Sequence, residues 1–156
     1  MAGTRAAIRY SKAILDIANA KQVAEVVNND MKLIGDTIAS NLELSTFIQN
    51  PTLKVEVKEQ ALLEVFASAN GVTKGLFHLL FENKRFEILE GIASEYNKLF
   101  DIMNGVEVAQ VTTAIPMDAA LEAKVLAKIA TLSDKKIQIE NTIDPAIIGG
   151  FILRIG

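Results

Sequence analysis

Side chains able to do chemistry are few in this sequence, and their spacing suits other work. His78 is the single histidine among 156 residues, and cysteine and tryptophan are absent. Those absences exclude thiolate metal sites, a cysteine nucleophile, a disulfide framework and an intrachain His-rich metal site. Glu56/Glu59 and Glu87/Glu90 stand at helical spacing, as a catalytic carboxylate pair would, but amid Lys54, Lys58, Lys84 and Arg85. Such mixed charge reads as a solvated helix face with i,i+4 support. His78 borders an apolar run with no Ser or Asp near it in a triad motif. Gly149-Gly150 precedes a strand and no lysine follows, so the doublet lacks the spaced glycines and helix start of a phosphate cradle. A bulge or a close backbone approach explains it better. Arg154 interrupts an apolar strand and, if buried, needs a carboxylate or carbonyl partner, as a structural ion pair more than an anion site. No catalytic group, cofactor or metal is expected.

What remains is apolar surface. Tyr10, Ala13 and Ile14 on a first helix, with Phe77 and Leu80 on a fifth, either line a groove for an amphipathic partner helix or belong to an ordinary core. With 16 Lys+Arg against 19 Asp+Glu the net charge is −3, unlike a basic nucleic-acid footprint. The longest near-apolar stretch, Ala146 to Leu153, is far short of the ~20 residues a spanning helix needs. Arg5, Arg9 and Lys12 precede the first acid, Asp16, as in a mitochondrial transit peptide. Because the pattern runs unbroken into later helical sequence, they read instead as the wet face of a surface helix.

The elements that must position these residues follow from periodicity. Tyr10, Ile14, Ile17 and Ala18 form one stripe, predicting a helix from about Thr4 to Ala20; Val27, Met31, Ile34 and Ile38 predict a second over 23–40. Leu44, Phe47 and Ile48 mark a short third helix closed by Asn50-Pro51, where Asn50 reads as the N-cap of the next with Pro51 at its first position. The fourth helix runs to about Ser68 with Leu62, Leu63 and Phe66 inward, and Asn70-Gly71 ends it. Leu76, Phe77, Leu80 and Phe81 mark a fifth, broken near Asn83-Lys84. Phe86, Leu89, Ala93, Tyr96, Phe100 and Met103 mark a sixth, stopped by Asn104-Gly105.

Past Gly105 the texture changes. Val106 to Ile115 is β-branched, with a phase slip near Ala109-Gln110 that reads as a bulge. Asp118 can cap a helix carrying Leu121, Val125, Ile129 and Leu132, Lys136 to Ile143 alternates as a strand, and Asp144-Pro145 turns the chain. Phe151 to Ile155 reads as a strand covered on both faces. The expected fold is mainly α: a six-helix bundle over residues 1–104, then a small α+β domain over 105–156 in the order strand, helix, strand, strand. No closing helix follows the last strand, so the chain is expected to be cut short.

These residues resemble the delta subunit of bacterial F-type ATP synthase, the family of the mitochondrial oligomycin-sensitivity-conferring protein. Asp144-Pro145-Ala146-Ile147-Ile148-Gly149-Gly150-Phe151-Ile152-Leu153-Arg154-Ile155-Gly156 is similar to its signature: an acidic-Pro turn, a Gly-Gly, and an apolar-Arg-apolar-Gly strand. Arg9-Tyr10-Ser11-Lys12-Ala13-Ile14-Leu15 resembles the first-helix motif, with Ser11 where the family often has Ala. Glu82-Asn83-Lys84-Arg85-Phe86-Glu87-Ile88-Leu89 resembles the joint between the fifth and sixth helices, and Thr113-Ala114-Ile115-Pro116-Met117 the strand-to-helix step. The resemblance implies a non-catalytic stator subunit, monomeric alone, which links the catalytic head to the peripheral stalk during proton-driven ATP synthesis. It implies that an alpha-subunit N-terminal helix docks between the first and fifth helices on Tyr10, Ala13, Ile14, Phe77 and Leu80. The b subunits of the stalk are implied to meet the C-terminal domain, in which Asp144, Pro145, Gly149, Gly150, Arg154 and Gly156 are structural. It implies no cofactor and no nucleic acid. The membrane is met only through the complex, on the cytoplasmic side of the bacterial inner membrane or, alternatively, the matrix side of the mitochondrial one. A generic helical adaptor and a small-ligand module near Gly149, Gly150 and Arg154 are the rival readings.

Overall fold

The computed structural model describes residues 2–155. These fall into two compact units, one ending at Phe100 and the other starting at Asp101. In the first, α1 (Ala2–Ala20), α2 (Ala24–Ser40), α3 (Leu42–Gln49), α4 (Val55–Val65), α5 (Gly71–Asn83) and most of α6 (Leu89–Met103) pack on one core, with a 3-10 turn over Phe86–Ile88 leading into α6. Val27, Met31, Ile34, Leu62, Leu76, Phe77, Leu80, Phe86, Leu89, Ile92 and Tyr96 are the large side chains sealed inside it.

Two helix boundaries differ from expectation. Asn50 does not cap α4. Its side-chain oxygen accepts from the Thr52 amide at 2.9 Å and the Thr52 hydroxyl at 2.7 Å, closing an Asx turn that delays α4 to Val55. Asn70-Gly71, by contrast, starts a helix where the sequence-based expectation ended one. Asn70 Oδ1 accepts from the Val72 amide at 3.0 Å as the N-cap of α5, and Gly71 is the first residue of that helix. At the far end of α5 the break near Lys84 is as expected: Lys84 adopts φ +54° and its amide donates to Leu80 and Phe81.

The face of α1 that meets the core also differs. Its buried residues are Ala7, Ser11, Ile14, Leu15 and Ala18, whereas Ile17 is 46% exposed. Small side chains at the centre of that stripe let neighbouring backbone approach closely: a Cβ added at Gly91 would stand 3.3 Å from Ala7 Cβ. Lys58 is not on a solvated face. It is 6% exposed, and its Nζ donates to the Ile48 carbonyl at 2.7 Å, satisfying an end carbonyl of α3.

In the second unit β1 (Val106–Thr113), α7 (Ala119–Ala130), β2 (Lys136–Ile143) and β3 (Phe151–Ile155) form a three-stranded sheet in the order β2-β1-β3 with a helix on one face. β1 runs parallel to β2 and antiparallel to β3, the parallel pair being joined through α7. Pairing continues without interruption from Val106↔Lys136 to Thr113↔Ile143, so there is no bulge at Ala109-Gln110. Ala109 and Val111 lie on the helix side, against Val125 and Ile129, and Val106 and Val108 alternate to the other side. Asp118 caps α7, accepting from the Leu121 amide at 2.7 Å. β3 is covered on one face only. Phe151, Leu153 and Ile155 pack towards α7, while Ile152 and Arg154 are exposed.

Candidate functional site: the α1 flank and the sheet signature

α1 packs against α5, and the residues singled out on these helices separate by depth. Ile14 is buried at 4% exposure, and Phe77 and Leu80 have no accessible surface. Both α5 residues are core: Phe77 sits 6.0 Å, ring to ring, from Phe66 in a tilted arrangement. They shape the α1–α5 packing from beneath and offer a partner nothing to touch. Tyr10 is half-buried against the core and Ala13 is exposed. Tyr10, Ala13 and Ile17, spaced by three and four, share one flank of α1. That flank is apolar and open to solvent, and it includes Ile17, which the sequence stripe grouped with the buried Ile14 and Ala18.

The position of α5 is fixed from α2. Asp30 Oδ2 accepts from the Asn70 amide at 2.8 Å and from the Thr73 hydroxyl at 2.6 Å, placing a carboxylate at the positive end of α5. Tyr96 of α6 donates its phenol to the Ala24 carbonyl at 3.0 Å, and burial, reinforced by the Asp30 charge, pushes its pKa up to about 12. Asn97 donates to Asn28 Oδ1 at 2.7 Å and to the Asn28 carbonyl at 3.1 Å. α1's neighbours are thus pinned by a polar network linking α2, α5 and α6. No short motif announces these contacts, which join residues 40 to 72 apart in sequence.

The sole histidine is exposed. Its Nδ1 lies 3.1 Å from Glu59 and its Nε2 3.6 Å from Glu82, bridging α4 and α5, and its ring stacks on Phe81. Among the described residues no group of three His, Cys, Asp or Glu is placed to hold a metal ion. No described helix is long and apolar enough to cross a membrane.

In the second unit the signature residues build the β2-to-β3 connection. Asp144 donates its amide to the Thr113 carbonyl at 2.8 Å, and its Oδ1 accepts from the Ala146 amide at 3.0 Å across Pro145. Gly149 (φ +123°) and Gly150 (φ +71°) hold backbone angles that L side chains disfavour. No neighbouring atom lies within 4 Å of where their Cβ would be, so the doublet serves a backbone angle and not a close approach. Arg154 stands opposite Gln110 on the open face and needs no buried partner. Gly156 lies outside the described residues. Glu107, at the start of β1, binds Lys135 at 2.6 Å and the Ser133 hydroxyl at 3.2 Å, and the Lys135 hydrogen bond holds its carboxyl below the usual range.

Residues 6–156 match a family model described as ATP synthase delta (OSCP) subunit. The chain is 81% identical over its whole length to the ATP synthase subunit delta of Flavobacterium johnsoniae, of which it covers 88%. It is 44% identical over its whole length to that of Christiangramia forsetii, covering 85%. Across 94% of the chain it is 33% identical to the chloroplastic ATP synthase subunit delta of Porphyra purpurea, covering 80% of that protein. A chain of the Toxoplasma gondii mitochondrial ATP synthase hexamer shares the fold, with a TM-score of 0.73 at 23% identity over 94% of this chain and 83% of that one.

Proposed function

Because the chain belongs to the ATP synthase delta (OSCP) subunit family, whose members are non-catalytic structural subunits, we propose that it is the stator link of an F-type ATP synthase. Its six-helix N-terminal part holds the catalytic head by taking the N-terminal helix of an alpha subunit, and its smaller part meets the b subunits of the peripheral stalk. It works as a peripheral subunit on the cytoplasmic side of a bacterial inner membrane. The observation that carries this reading is the open apolar flank Tyr10–Ala13–Ile17 on a helix packed against α5.

The physics of the task agrees with such a surface. A stator link must outlast many catalytic turns, so slow release matters more than fast capture. A helix laid along an apolar flank achieves that within ~1,200–2,000 Å² of total interface when a few anchors are fully desolvated. Tyr10 is the largest side chain on the flank, with a polar tip for the rim and a ring for the contact. The Tyr10→Ala variant is expected to bind an alpha-subunit N-terminal peptide ~30-fold more weakly, about 2 kcal/mol, while circular dichroism shows the helices intact. Unchanged affinity in a folded variant would remove Tyr10 from the contact.

A further inference from the structure

The charges of α1 run against the helix that carries them. Arg5 and Arg9 occupy its N-terminal half, Lys12 sits just past its middle, Asp16 lies nearer its C-terminal end, and neither an acid in the first turn nor a base in the last offsets them. A helix favours the opposite order, with carboxylates near its positive N-terminus. All four are exposed, and none of them ion-pairs among the described residues. Spacings of four, three and four set them in one strip along α1. The strip borders the open flank, since Arg9 lies one turn before Ala13, and Arg5 one turn before Arg9. Three cations that do nothing for their own helix therefore edge the apolar surface assigned to a partner.

We propose that Arg5 and Arg9 determine which helix docks on the α1 flank, selecting an amphipathic alpha-subunit segment with carboxylates along the edge beside them. This rests on the docking reading above and adds the partner's chemistry to it. Charges at an interface rim act through long-range attraction, so they raise the association rate and impose a salt dependence, while the apolar anchors set the release rate.

The test uses the full chain and a synthetic peptide of the alpha-subunit N-terminus from Flavobacterium johnsoniae, whose delta subunit is 81% identical to this chain. The double variant Arg5→Glu, Arg9→Glu is expected to weaken binding at low salt by about tenfold, mostly through the association rate, and the gap is expected to close near ~0.5 M salt. A peptide with its acidic residues changed to Lys should lose affinity for the natural chain and regain it on the variant. The reversal also corrects the charge order of α1, so its melting temperature should not fall, which separates recognition from a structural role. Peptide binding that the reversal leaves unchanged at low salt overturns the proposal and leaves the docking reading intact. Binding to neither chain overturns both.

Discussion

Replacing Tyr96 with Phe removes one oxygen from the interior and gives two opposed effects that can be separated by pH. The phenol donates to the Ala24 carbonyl at 3.0 Å from a fully buried side chain. Losing that bond costs about 1 kcal/mol at neutral pH, at the lower end of its range because the carbonyl also accepts within the α2 ladder. At high pH the balance turns. The phenol titrates near 10 when unfolded and about 12 when folded. A raised folded-state pKa contributes stability that is whole below the unfolded value and is lost as pH rises through the folded one. By pH 11 this linkage removes roughly 1.4 kcal/mol from the natural chain and nothing from the variant. Urea unfolding followed by circular dichroism is therefore expected to show Tyr96→Phe less stable at pH 7, with the two chains meeting near pH 11. All other titrating groups are common to both and cancel in the difference. A stability gap that stays constant from pH 7 to 11 would refute the claim that this phenol is held protonated by its surroundings.

Other perturbations probe the two units separately. Asp118→Ala deletes the cap on α7 and should cost the second unit about 1 kcal/mol, read as a lower unfolding midpoint for sheet signal with the first unit's helices unaffected. Gly149→Ala forces φ +123° on an L residue and should cost about 1–3 kcal/mol of that unit's stability, measured in the same way, despite the empty space around it. Gly35→Ala is expected to go the other way: its Cβ would rest 3.9 Å from Ala93 Cβ, an ordinary contact, so a gain of about 0.5–1 kcal/mol should raise the melting temperature.

Much of this architecture was legible because its signals are local. Lys136–Ile143 and Phe151–Ile155 are the strands that alternation and apolar run marked out, and Asp118 caps where an acid before a helical stripe should. The errors have physical causes of their own. Asn50 and Asn70 are both short side chains that accept from amides two residues on, and such a residue can close a turn or open a helix with equal chemistry. Asn50 did the first and Asn70 the second, each against the sequence-based expectation. In α1 the core stripe is centred on Ala7, Ser11 and Ala18, so weighing large apolar side chains rotated the helix and drew Ile17 inward. Lys58 carries a charge that sequence places in water, yet a carbonyl ten residues away holds it inside. At the candidate site, apolarity alone left Phe77 and Leu80 open between groove and core; the structure places both in the core, because depth is decided by what covers a residue, and the polar network from Asp30 and Tyr96 that fixes α5 is entirely tertiary.

The proposed docking of an alpha-subunit helix on the first unit is tested by titration calorimetry of the full chain against the alpha-subunit N-terminal peptide. Saturable one-to-one binding with a negative heat-capacity change, absent from a scrambled peptide of the same composition, is the predicted result, as burial of an apolar helix face requires. A folded, helical chain that gives no heat at any temperature and no shift in melting temperature with the natural peptide would contradict it.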